Sequence, residues 1–116
     1  LPPFYCDDEA LAAENEATGR KAHDPVWRLP LWPGYDRLIE GKIADLNSAP
    51  GGGMAGSITA ALFLRRFVEK AKAWAHFDIY GWTPSARPGR PEGGEPQAAR
   101  LVAELVERRF GGARKR

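Results

Sequence analysis

The fold prediction for this chain rests on residues 44–64, which read ADLNSAPGGGMAGSITAALFL. A short strand is predicted over Ile43–Leu46, and a run of glycines follows it. Ser57–Lys70 is predicted to be a helix that is buried on most sides, because it has little polar face before Arg65. A strand, a glycine-rich connection and a buried helix in this order are typical of an α/β protein.

Three of these glycines also match the G-x-G-x-x-G pattern of dinucleotide-binding turns, namely Gly51, Gly53 and Gly56. Such a site needs a tight turn and an acidic residue about 20 residues further on. Pro50 and the consecutive glycines instead predict a loose connection, and Asp78 stands within its predicted strand rather than at the end. The pattern therefore favours a structural use of glycine, which lets the helix begin close to neighbouring backbone.

The flanking segments extend the α/β pattern. Residues 73–82, AWAHFDIYGW, are predicted to be a strand with large side chains on both faces, as in a sheet that is covered on both sides. A surface helix is predicted over residues 7–22, a short helix over 35–40, and a final amphipathic helix over 96–110. Two predicted strands do not make a stable sheet, so we expect further strands from elsewhere.

Composition limits the class of protein. The 116 residues suffice for one domain-sized core, and the net charge of only +2 argues against a dedicated nucleic-acid binder. A single cysteine, Cys6, rules out an internal disulfide and fits a reducing compartment. No apolar run reaches the ~20 residues of a membrane span. We therefore expect a cytoplasmic protein, and one longer than this chain, since it opens at Leu1 and its only methionine is Met54.

The residues that usually carry catalysis form no recognisable site. His23, His76 and Cys6 do not have the spacing of metal ligands. His76 and Asp78 share one face of the predicted strand, where a buried carboxylate would need a hydrogen-bond partner. The arginines of the loop after Pro84 are interpreted as solvated charge. Taken alone, the motifs indicate an α/β segment without an assignable activity.

Three longer strings resemble a known family. DPVWRLPLWPGYDRLIEGKIADLNS, GGGMAGSITAALFLRRFV and WAHFDIYGWTPSARPGRPEGGE are similar, in this order, to the C-terminal part of leucyl aminopeptidases, the cytosol aminopeptidase family. The resemblance covers residues 1–110 and leaves 111–116 as a basic tail. It implies a slice of a mixed-sheet α/β sandwich with helices on both faces, in which the glycine-rich segment binds no nucleotide.

The resemblance also implies an activity. Family members are metallo-exopeptidases that remove N-terminal residues from peptides, with a preference for leucine-like side chains, and they assemble as hexamers. They use two divalent metal ions, manganese or zinc, to polarise the scissile carbonyl and to hold the attacking water. Nucleic acid and membrane are not expected among the partners; peptide substrates are.

The chain departs from the family at the catalytic residues. The motif Asn-Thr-Asp-Ala-Glu-Gly-Arg is absent, and the other metal ligands of the family precede the matching region. No catalytic or metal-binding residue transfers, so we expect the isolated chain to be inactive, to bind no metal, and to need the upstream part of the same domain. The resemblance places the wall of the substrate pocket at Tyr80, Gly81, Trp82 and Thr83.

Three functional hypotheses result. The first is the C-terminal fragment of a leucyl aminopeptidase-like enzyme, which contributes pocket wall and packing. The second is a non-catalytic α/β interaction module derived from such an enzyme. The third is a nucleotide-binding unit, which a cofactor titration would test.

Overall fold

The structure, a computed structural model, describes residues 1–39 and 55–111. The predicted strand Ile43–Leu46 and the glycines before Met54 lie outside these residues. In chain order the elements are β1 (Pro3–Cys6), α1 (Glu9–Lys21), β2 (Trp27–Arg28), the 3₁₀ helix η1 (Pro33–Leu38), α2 (Gly56–Arg65), β3 (Ala75–Phe77), β4 (Trp82–Thr83), β5 (Gly93–Gly94) and α3 (Ala99–Phe110).

The central strand of the main sheet is β1, which lies between β2 and β3. It runs parallel to β2, with Pro3 opposite Trp27, and antiparallel to β3, with Tyr5 opposite His76. The mixed sheet confirms the predicted fold class. Strand β3 pairs with β1 of the same chain, whereas the sequence pattern predicted partner strands from elsewhere.

Helices cover both faces of this sheet, as predicted. Neighbouring residues of a strand point to opposite faces. Phe4 belongs to a buried cluster with Ala12 of α1 and Leu101 of α3, whereas the hydroxyl of Tyr5 is hydrogen-bonded to the hydroxyl of Ser57 in α2. The helices α1 and α3 therefore lie on one face, and α2 lies on the other.

The first helix differs from the predicted surface helix because it buries a face of small and polar residues, among them Asn15, Thr18 and Gly19. A Cβ atom on Gly19 would lie 2.8 Å from the backbone oxygen of Asp24 and 3.0 Å from a methyl carbon of Leu101. Only glycine therefore allows α1 to approach α3 and the Asp24 backbone so closely.

The second helix is shorter and more exposed than predicted. It ends at Arg65 rather than at Lys70, and its C-terminal end tightens into i→i+3 hydrogen bonds such as Phe67 N–H to Leu64 O at 3.1 Å. Leu64 and Phe67 are exposed. This helix and the turn after it therefore carry more apolar side chains than the described residues bury.

Asp24 fixes the start of α3, which begins at Ala99. The residue before it, Ala98, has a left-handed backbone and no side-chain cap of its own. The carboxylate of Asp24 accepts hydrogen bonds from the backbone N–H groups of Ala98 at 3.1 Å and Leu101 at 3.0 Å. A buried aspartate from a distant loop thus satisfies N–H groups that a helix leaves free.

Candidate functional site

The four predicted pocket residues follow β3 and lead into the β4–β5 hairpin. Tyr80 and Trp82 are exposed, whereas Thr83 is only 2% exposed. Gly81 lies between them with a φ of +75°, a left-handed conformation that glycine adopts without steric cost. The chain therefore turns at Gly81, and the strand alternation predicted through Tyr80 ends at Phe77.

This turn is held by two residues that the sequence analysis did not single out. The side-chain oxygen of Gln97 accepts hydrogen bonds from the backbone N–H groups of Tyr80 at 2.9 Å and Gly81 at 3.0 Å. The backbone N–H of Glu95 donates to the carbonyl of Gly81 at 3.0 Å. The hydroxyl of Thr83 donates to the carboxylate of Glu95. The segment 80–83 is thus fixed by the segment 95–97.

Glu95 is in turn surrounded by arginines of the hairpin loop. Arg87 lies 3.3 Å and Arg90 3.1 Å from its carboxylate oxygens, and the backbones of these arginines pair with each other at 2.8 Å. The hydrogen bond from Thr83, together with the positive charges of Arg87 and Arg90, lowers the pKa of Glu95. The loop arginines, predicted as solvated charge, therefore pair partly with a carboxylate.

Removing the charge of Glu95 should make the hairpin less stable at neutral pH but not in acid, where Glu95 is protonated. Because the pKa of Glu95 is lowered by folding, its ionised form stabilises the folded state above the usual glutamate pKa of about 4.3. That contribution disappears as the pH falls through the lowered pKa. Glu95→Gln should therefore lower the midpoint of thermal unfolding at pH 7, and the two midpoints should converge as the pH falls through the lowered pKa of Glu95.

The exposed Glu92 of the same loop supplies the matched control for this measurement. Glu92→Gln removes one negative charge without touching Thr83. Equal shifts for the two variants at pH 7, or a Glu95→Gln shift that persists in acid, would contradict the role assigned to Glu95.

A cleft of about 440 Å³ opens beside the turn. Its walls include Ser57, Asp78, Tyr80 and Gln97, together with residues 1–3. The lining combines the apolar side chains of residues 1–3 and Ile79 with an aromatic ring, a carboxylate and two neutral polar groups. Such a cleft could hold a single amino-acid side chain, and of the four predicted residues it directly includes Tyr80.

The predicted network between His76 and Asp78 is not made through Nε2 of His76, which is buried without a hydrogen-bond partner in the described part of the chain. The ring of His76 instead stacks on Trp74 at a centroid distance of 6.4 Å and on Tyr5 at 6.1 Å. Burial lowers the pKa of His76, and the nearby charge of Asp78 opposes that shift. His76 therefore lies in an aromatic stack on the α2 side of the sheet.

Residues 1–39 and 55–111 contain no group of three or more His, Cys, Asp or Glu side chains that could hold a metal ion. The described side chains therefore do not fit a metal centre, and no catalytic step is assigned to them. No helix in the same residues is long and apolar enough to cross a membrane.

The positions of Glu95 and Gln97 could have been suspected from one signal. The sequence Gly-Gly-Glu-Pro-Gln places two polar side chains around a proline directly before a helix. Polar side chains at such a point often bond to nearby backbone. The signal does not reveal which backbone groups they reach.

Comparisons with known proteins find the same family that the three sequence strings resemble. Residues 2–105 match the model of the cytosol aminopeptidase family, catalytic domain. The probable cytosol aminopeptidase of Chlorobium phaeobacteroides is 41% identical over 106 residues, which are 90% of this chain and 21% of the relative. That of Geobacter sulfurreducens is 41% identical over 103 residues, 87% of this chain and 20% of the relative. This chain thus spans about a fifth of the length of these relatives.

Two solved structures share the fold. The crystal structure of the cytosol aminopeptidase from Coxiella burnetii has a TM-score of 0.86 and 42% identity, and the match covers 95% of this chain and 24% of that one. The bottromycin maturation enzyme BotP in complex with Mn has a TM-score of 0.84 and 28% identity, and the match covers 92% of this chain and 24% of that one.

Proposed function

Because this chain belongs to the cytosol aminopeptidase family, we propose that it forms the C-terminal part of a metal-dependent aminopeptidase that removes N-terminal residues from peptides. The family match over residues 2–105 carries the proposal. In this proposal, residues 1–110 belong to the catalytic domain and residues 111–116 form a basic tail. The activity belongs to the complete enzyme, meaning this chain joined to the remainder of that domain.

Within the complete enzyme, this chain contributes a wall of the substrate pocket. We assign that wall to Tyr80, Gly81, Trp82 and Thr83, and the neighbouring cleft supports the assignment because Tyr80 lines it. The exposed rings of Tyr80 and Trp82 offer apolar surface to a leucine-like side chain. Thr83 is buried, so we assign it the role of supporting the wall from behind.

The metal ions and further partners are also proposals for the complete enzyme. Two divalent ions, manganese or zinc, would polarise the scissile carbonyl and activate a water when bound. The manganese in the BotP structure supports a divalent metal. The ligands of the two metal ions would come from the remainder of the domain. The complete enzyme would be a cytoplasmic hexamer.

An apolar stripe on α3 supports the need for that remainder. Val102, Val106 and Phe110 follow one another at helical spacing and are all exposed. Exposed apolar patches of this kind commonly mark contact surfaces. Since about four-fifths of the relatives' length lies outside this chain, we propose that other parts of the catalytic domain cover the stripe.

An assay with leucyl-anilide substrate and added manganese or zinc tests the function. We expect no turnover from the isolated chain, because it lacks a metal-ligand group among its described residues. The complete enzyme should hydrolyse the substrate, lose the activity with a chelator, and regain it with metal. A metal-loaded complete enzyme without activity would favour the non-catalytic interaction module instead.

A further inference from the structure

The backbone of the pocket wall at residues 80–83 is held by the side chains of Glu95 and Gln97, and Gln97 also lines the neighbouring cleft. We propose that Gln97, assisted by Glu95, is a positioning residue that sets the shape of the substrate pocket and thereby its preference among N-terminal side chains. The inference rests on the proposed function, because it concerns the same pocket. It goes beyond that function by assigning selectivity to two side chains of the segment before α3.

Gln97 fixes the backbone of the wall through a single atom. Its side-chain oxygen receives the N–H groups of two consecutive residues, Tyr80 at 2.9 Å and Gly81 at 3.0 Å. Two neighbouring N–H groups that converge on one oxygen fix both peptide planes relative to each other. The left-handed backbone of Gly81 makes this turn possible. The direction of the Tyr80 side chain at the cleft therefore depends on Gln97.

Glu95 holds the other end of the wall and is itself held firmly. Its carboxylate accepts from the Thr83 hydroxyl and is paired with Arg87 and Arg90, and its side chain is only 13% exposed. Its backbone N–H bonds to the carbonyl of Gly81. A carboxylate that is fixed by two arginines can fix a threonine in turn, because charge-assisted hydrogen bonds are strong and directional.

A wall held at both ends can discriminate by shape. One extra or missing methylene in an apolar pocket is worth about 10- to 200-fold discrimination. We expect this discrimination to depend on walls that keep their shape. Loss of the Gln97 oxygen that accepts from Tyr80 and Gly81 would allow the backbone of the wall to move. The kcat/KM for leucyl substrates, which fill the pocket, should then fall more than the kcat/KM for alanyl substrates.

The test compares variants of the complete enzyme at constant metal content. Gln97→Met keeps the approximate size of the side chain and removes the oxygen. We expect the ratio of kcat/KM for leucyl over alanyl substrates to fall about tenfold, mainly through a higher KM for leucyl substrate. Gln97→Glu restores an accepting oxygen and should keep the ratio within about threefold of the unmutated enzyme. Glu92→Gln, on the exposed loop, is the control.

A second variant covers the case in which Gln97→Met fails to fold. Thr83→Val keeps the volume and removes the hydroxyl that Glu95 holds, and its ratio should fall in the same direction. An unchanged ratio in both variants, or equal losses for leucyl and alanyl substrates, would overturn the inference. Absence of activity in the unmutated complete enzyme would instead overturn the proposed function, and the inference with it.

Discussion

Replacing Phe4 by alanine should lower the free energy of unfolding of the sheet in the isolated chain by about 3 to 5 kcal/mol. The ring of Phe4 is fully buried in the central strand and stacks on Phe77 at a centroid distance of 5.6 Å. Its removal deletes apolar contacts and leaves a cavity between the sheet and the two helices α1 and α3. Amide hydrogen exchange of β1 and β3 measures the change, because it reports local opening of the sheet.

The matched control is Phe110→Ala in the same isolated chain. Phe110 is 78% exposed there, at the end of α3, so its removal should change the stability by less than about 0.5 kcal/mol. If Phe4→Ala speeds exchange in the sheet no more than Phe110→Ala does, Phe4 is not at the centre of the core.

Replacing Asp24 by alanine should destabilise α3 by about 2 to 4 kcal/mol. The substitution leaves the buried N–H groups of Ala98 and Leu101 without an acceptor, and neighbouring Ala98 offers no side-chain cap. It also removes the negative charge 3.8 Å from Arg100. Exchange of the α3 amides should therefore become at least tenfold faster.

Asp36→Ala is the control for this variant. Asp36 forms a half-exposed ion pair with Arg66 at 3.6 Å, and such pairs are worth at most about 1 kcal/mol. The loss of stability in Asp24→Asn should lie between those of Asp24→Ala and Asp36→Ala, since an amide retains one accepting oxygen. A loss in Asp24→Ala no greater than in Asp36→Ala would contradict the capping role.

Local periodicity predicted the elements that are long and regular. The final helix has apolar residues at helical spacing and was predicted nearly to its bounds. The strand predicted over 73–82 exists, but only Ala75–Phe77 form it. The central strand β1 was not predicted, because Phe4, Tyr5 and Cys6 are all buried and the short segment shows no alternation of apolar and polar residues. The early end of α2 was missed for a different reason, since apolar residues continue beyond Arg65 although the helix does not.

The candidate site depended on long-range contacts. The positions of Tyr80 to Thr83 came from the family resemblance and remain a prediction. Their partners Glu95 and Gln97 lie 12 to 17 residues away, and Asp24 reaches Leu101 across 77 residues. No spacing rule connects such residues, because the fold rather than the sequence order brings them together.

The central place of β1 has a consequence for the order of folding during synthesis. Tyr5 of β1 lies opposite His76 of β3, which follows it by 71 residues, and α1 is hydrogen-bonded to α3 through Thr18 and Arg108, which lie 90 residues apart. Proteins with such distant contacts fold slowly, because the ends of a long loop must meet before any contact forms. On the ribosome, translating the 71 residues from Tyr5 to His76 takes roughly 4 to 14 s. During that time Pro3–Cys6 can pair with β2 alone, and its edge toward β3 stays open, so the nascent chain exposes an unpaired strand edge that a chaperone can shield.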